Sequence, residues 1–231
     1  MPAALKASLA VSAAGVILTT MFIVQPAAPV TRRGTVVLWL AFSTLNLLGA
    51  IATLMPHLCS PHIQVDPRLD PSRYTHLWGL RLIHGHHPEC REFESHEFQF
   101  SGRRICAGCT GLFLGALISV TVSLKHMTLG FSGLPTVYGF LGVTAIVAVL
   151  GSLVLVSPSR PLVRAVQNFV LVLGFSLVLI SVEVLGGFFR GGLVVGLCVV
   201  WMSTRIQISR WSHDRVCSGC VDACGKKEVL L

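Results

Sequence analysis

Six apolar runs, each close to the roughly 20 residues a helix needs to cross the hydrocarbon core of a bilayer, divide this chain. They cover about 5–24, 35–55, 107–127, 134–157, 163–183 and 191–208. Most of their ends fall where helix is chemically difficult. The first run stops before Gln25-Pro26 and the second at Pro56, while the fourth opens after Pro135 and closes at Ser157-Pro158. Proline lacks an amide donor and steers the residue before it away from helix. The fifth run ends near Glu183 and Gly186-Gly187, and the sixth starts at Gly191-Gly192 and runs out at Arg205. The runs are continuous rather than alternating, which favours helices over barrel strands. Only 12% of the residues are charged, about half the quarter usual in soluble domains, so a lipid bilayer is the expected solvent.

The expected fold is therefore all-α: a polytopic membrane helix bundle of about six transmembrane helices with a Cys/His-rich cytoplasmic loop. Residues 1–55 would hold the first two helices, 56–106 a metal-binding loop, 107–208 four more helices, and 209–231 a Cys-rich cytoplasmic tail. Residues 1–28 also carry features of a signal peptide, because Pro26-Ala-Ala-Pro29 follows the first run. That run is long for a signal and Lys6, at its start, is the one basic residue there, so a retained helix is expected.

Lysine and arginine set the orientation. Six crossings put fourteen basic residues on one side and four (Arg32, Arg33, Lys125, Arg190) on the other. The basic side, with the long loop and the tail, should be cytoplasmic in a cell membrane. Thiols there stay reduced, and metal ligation is favoured over disulfides. The net charge of +8 follows from the same asymmetry and does not indicate nucleic-acid binding; some attraction to anionic headgroups fits it.

Seven of the eight cysteines and eight of the nine histidines sit in two stretches, and thiolate and imidazole are preferred zinc and iron ligands. In the first stretch His87, Cys90 and His96 precede Cys106-Ala-Gly-Cys109. A Cys-x-x-Cys pair sets two sulfurs on one tight turn within reach of one ion, and Gly108 lets the backbone curl. Five such residues within 23 positions favour metal over buried packing thiols. A loop of nearly fifty residues is too small to bury much core alone, and small domains commonly rely on metal staples. The second stretch is Cys217-x2-Cys220-x3-Cys224, whose members can share one helical face. A fourth ligand could be Cys90, His96 or His213, or the tail could complete one site with the loop. Palmitoylated juxtamembrane cysteines are the competing reading. Zinc is the expected metal. Iron or an iron–sulfur cluster ranks below it, because the four-Cys ferredoxin run is absent. His57, Cys59 and His62 read as interfacial polar residues, and Cys198 as a small packing residue.

The element Phe100-Ser-Gly-Arg-Arg-Ile-Cys106-Ala-Gly-Cys109-Thr110-Gly111-Leu-Phe-Leu-Gly115 resembles an uncharacterised prokaryotic membrane family, the domain of unknown function numbered 2085. That family is known for a Cys-x-x-Cys-Thr-Gly-aromatic-x-Gly element opening a helix. His87-Pro88-Glu89-Cys90 is similar to the His/Cys-rich element that precedes it in archaeal-type members. The match spans about thirty residues and implies a small polytopic protein without an assigned activity. The family's more usual Cys-His…Arg-Ser-Phe half is not present as such.

Chemistry that is missing narrows the reading. There is no His-Glu-x-x-His, phosphate loop, dinucleotide fingerprint or Ser-His-Asp pattern. Glu183 is the one acidic residue near a membrane run; beside Arg190 at an expected helix end, it should snorkel or pair. Gly111 and Gly115 have the spacing of close helix approach, although one such instance more often marks a Gly-tolerant helix. The leading expectation is a membrane scaffold or interaction protein with a structural metal site; a protein partner or homo-oligomer is left open. The competing expectations are a metalloenzyme or thiol-redox enzyme acting on a lipid-soluble substrate, and a metal sensor or transporter.

Overall fold

A computed structural model describes residues 1–25, 32–54, 74–77, 80–83, 91–130, 133–156 and 160–219. Four apolar runs each form one helix: α1 (Ala3–Val24), α2 (Arg32–Leu54), α3 (Ala107–Leu129) and α4 (Pro135–Leu155). Pro135 opens α4 at its first position, where the missing amide costs nothing because that donor has no helical partner. The last two runs, which the sequence presents as separate helices, are continuous in one, α5 (Pro161–Gly219), interrupted at Gly187 alone. Five helices are thus long and apolar enough to cross a membrane, which fits a multi-pass integral membrane protein.

α5 is a hairpin. Asn168 and Arg205 lie 37 positions apart, about 55 Å along a straight helix, yet their side chains are hydrogen-bonded at 2.6 Å. Phe175 also stacks on Trp201 with ring centroids 6.0 Å apart. The chain folds back at Gly187, whose φ of 83° and ψ of 178° belong to a region essentially closed to residues bearing a Cβ. Gly187→Ala should therefore destabilise the protein by about 2 kcal/mol. Gly192→Ala should be close to neutral, because its Cβ would meet only Leu38 Cδ2, at 3.9 Å. Unfolding midpoints in mixed detergent micelles would show the contrast; equal midpoints would remove the fold-back from Gly187.

The hairpin is the centre of the bundle. Two thirds of its apolar stretch is buried (67%), against 22% for α1 and 28% each for α2 and α4. Trp201 is fully buried and donates its indole N–H to the Ser12 carbonyl of α1, while Ser12 and Thr204 share a hydroxyl bond of 2.8 Å. Gly142 of α4 lies against Gly174 of α5, with a Cβ at Gly142 only 2.7 Å from the Gly174 carbonyl oxygen. Outward faces stay apolar, with Ile17, Leu40, Leu48, Leu117, Leu141 and Val147 all exposed, as a lipid-facing surface requires.

α3 lies parallel to the first half of α5 along a face of small residues. Gly111 meets Ala165, Ser119 bonds Ser176 at 2.8 Å, and His126 reaches Glu183. A side chain on Gly111 would put its Cβ 2.0 Å from the Ala165 carbonyl oxygen. The Gly111/Gly115 spacing thus marks a close helix crossing rather than tolerance.

Within the loop, two short antiparallel hairpins are described: β1 (Tyr74–Leu77) with β2 (Leu80–Ile83), and β3 (Glu97–Phe100) with β4 (Arg103–Cys106). Ser101 and Gly102 both have positive φ, 52° and 75°, as a two-residue hairpin turn demands. A six-residue 3-10 helix, Arg91–His96, leads into β3. Phe100, an aromatic residue of this small loop, does not join a core: it is 74% exposed. Its strand pairs only with β4 among the described residues.

Candidate functional site

β4 runs directly into α3, and this junction builds the thiol end of the molecule. Cys106 closes the strand and caps the helix: its sulfur accepts the Cys109 amide N–H at 3.5 Å. Thr110 Oγ1 donates to the Cys106 carbonyl at 2.9 Å. Cys106 is buried and Cys109 half-buried.

Arg205 lies on this turn. A Cβ on Gly108 would be 3.1 Å from its Nη2, so the small residue between the cysteines makes room for a guanidinium. Asn168, 2% exposed, accepts from Arg205 Nε at 2.6 Å and donates to the Arg164 carbonyl at 2.7 Å. Arg205 interacts electrostatically with both cysteines, and Arg164 with Cys106. Nothing along the sequence links Arg205 or Asn168 to the Cys-x-x-Cys element, since a hairpin 37 residues long brings them there.

The other ligand-type residues at this end form a second pair. His96, 4% exposed at the junction of the 3-10 helix and β3, has its ring 5.3 Å from that of His213 on α5. The neighbouring Glu97 is buried and stands opposite Cys106 in the strand register. His213 and Cys217 are four apart on α5, hence on one helical face. Of the expected ligands, His87, Cys90, Cys220, Cys224 and the side chain of Cys217 lie outside the described residues. Among the described residues, no three His, Cys, Asp or Glu side chains come together as a metal site. The Cys106–Cys109 pair and the His96–His213 pair remain separate groups.

At the opposite end, a buried polar cluster joins three helices. His126 Nε2 and Glu183 Oε2 are 2.9 Å apart with both residues buried. Thr35 donates to the other Glu183 oxygen. Trp39 packs on the imidazole with centroids 4.9 Å apart. Glu183 is paired as expected, but its partner is not Arg190, which instead bonds the Gln25 carbonyl and lies over the Phe22 ring. The signal for this site is the one histidine inside an apolar run. An ionisable residue in the hydrocarbon region is costly unless another group meets it.

Comparison with protein-family models, with curated proteins and with solved structures found no match to the chain.

Proposed function

We propose that this chain is a six-crossing membrane protein, α5 contributing two crossings, whose loop and tail are stapled together on the cytoplasmic side by zinc in a structural or interaction role. The observation that carries this reading is the His96–His213 pair. These two residues come from the two Cys/His-rich stretches and lie 117 positions apart, yet their rings stand 5.3 Å from each other. Two imidazoles on one tetrahedral zinc, with Zn–N bonds of about 2.0–2.1 Å, have centroids about 5.2 Å apart. Cys217 shares a helical face with His213, and Cys90 or Cys220 would close the tetrahedron. Spacing alone puts Cys106 and Cys109 in the ligand set, but their packing on Arg205 favours a different role. The Lys/Arg asymmetry supports the cytoplasmic side. The Cys-Thr-Gly element supports kinship with the domain of unknown function numbered 2085.

Elemental analysis of detergent-purified protein tests this. The expected result is about one zinc per chain, reduced to less than half in His96→Ala and in His213→Ala and retained in Cys106→Ser/Cys109→Ser. Zinc unchanged in both histidine variants would reduce the pair to an ordinary edge-on ring contact. Zinc lost only in the cysteine double variant would return the ion to the Cys-x-x-Cys element.

A further inference from the structure

We propose that Cys106 and Cys109 form a reversible dithiol–disulfide couple, set against a fixed guanidinium, that reduces small disulfide-bearing substrates. This couple is independent of the zinc site, because it uses a different pair of side chains.

The geometry of closure is present. Cys106 caps the first turn of α3 and its sulfur accepts the Cys109 amide N–H at 3.5 Å, so the two cysteines share one tight turn. A disulfide there would join the last strand residue to the helix it caps.

The electrostatics favour sulfur chemistry over a bound dication. Cys106 is at the helix N-terminus, where amide dipoles stabilise a thiolate. Arg205 is the second feature, independent of the helix end. It is drawn onto the Cys–Cys turn by Asn168, and glycine at residue 108 lets it approach closely. A fixed cation at this position attracts a thiolate and repels a divalent metal at the same sulfurs. Asn168, almost wholly buried, is spent on holding this side chain in place.

The reaction balances with the substrate as oxidant. One sulfur of the pair, as thiolate, attacks one sulfur of a substrate disulfide R–S–S–R′. A mixed disulfide forms and R′S⁻ leaves. The other sulfur then attacks the first, which forms the intramolecular disulfide and expels RS⁻. The two protons of the original thiols end on the two departing thiolates, giving RSH and R′SH. Two electrons pass from the cysteine pair to the substrate, and a cellular thiol couple reverses the step.

The experiment equilibrates the full-length, detergent-purified protein in glutathione buffers of graded potential, alkylates the free thiols and digests with trypsin. Cleavage after Arg104 and Lys125 releases one peptide holding only Cys106 and Cys109, so the other cysteines do not interfere. The expected result is a switch from doubly alkylated peptide to one that is unalkylated and two hydrogens lighter, with a two-electron midpoint. Zinc content should stay constant across the titration. Arg205→Gln should favour the disulfide about tenfold, a shift of about 30 mV to more reducing potential. Arg205→Lys, which keeps the charge, should shift it less and guards against a folding defect in the glutamine variant. A peptide that stays doubly alkylated in oxidised glutathione would overturn the proposal. So would one that oxidises only after chelation, which would make the pair zinc ligands, or a midpoint indifferent to Arg205→Gln.

Discussion

Gly111→Ala is expected to destabilise the protein by about 3 kcal/mol, a large effect for a single added methyl group. The reason is a backbone-to-backbone contact. The new Cβ would lie 2.0 Å from the Ala165 carbonyl oxygen and 2.8 Å from its carbon. No rotamer change relieves that clash, because both atoms belong to the α5 main chain. The helices must separate or slide, and the Gly115 and Ser119 contacts above would loosen with them. Gly49→Ala and Gly151→Ala are suitable controls, since a Cβ at either position meets nothing within 4 Å. Alanine is also the better helix former, by about 1 kcal/mol, so both controls should be neutral or slightly stabilising. Mixed-micelle unfolding midpoints compare the three variants. Should Gly111→Ala follow the controls, the parallel α3–α5 seam is wrong. In the destabilised variant Cys106 and Cys109 should also be alkylated faster, because their turn rests on this crossing.

Replacing Glu183 by leucine is expected to cost about 3 kcal/mol, the range for removing one partner of a buried pair. His126 Nε2 would lose its 2.9 Å carboxylate, and Thr35 would lose the acceptor it shares with that pair. His126→Leu should cost a similar amount by stranding the carboxylate. The double variant should cost clearly less than the sum, with a coupling of about 1–2 kcal/mol, because neither group is then left alone among apolar neighbours. Arg190→Ala should matter little, since that side chain serves the Gln25 carbonyl and the Phe22 ring instead. Additive single effects in the double-mutant cycle would mean that the two residues do not act as a pair.

The residues differ in how openly the sequence announces them. Pro135 opens α4 where its chemistry says it should, and the Cys-Thr-Gly element opens α3. Ser101-Gly102 makes a tight hairpin turn, a signal present in the dipeptide but easily lost inside a loop rich in metal-ligand residues. His126 is visible as a lone histidine in an apolar run, yet its partner is not, because Glu183 has Arg190 nearer along the chain. Gly111 and Gly115 look like ordinary tolerated glycines, since spacing alone does not say whether a second helix is present. Arg205 reads along the chain as one of many interfacial cations, and only the reversal at Gly187 brings it onto Gly108.

Those contrasts share one physical cause. Whether a segment is apolar, long enough to cross a bilayer and ended by proline is a property of consecutive residues. The helical membrane character of the chain and the positions of its apolar runs were therefore legible in the order of its residues. So was the concentration of thiols and imidazoles in two polar stretches. Which side chains meet depends on how helices pack, and a packed contact is set by groups distant in the chain. It took the folded arrangement to bring Cys106 and Cys109 against Arg205, His96 to His213, and His126 to Glu183.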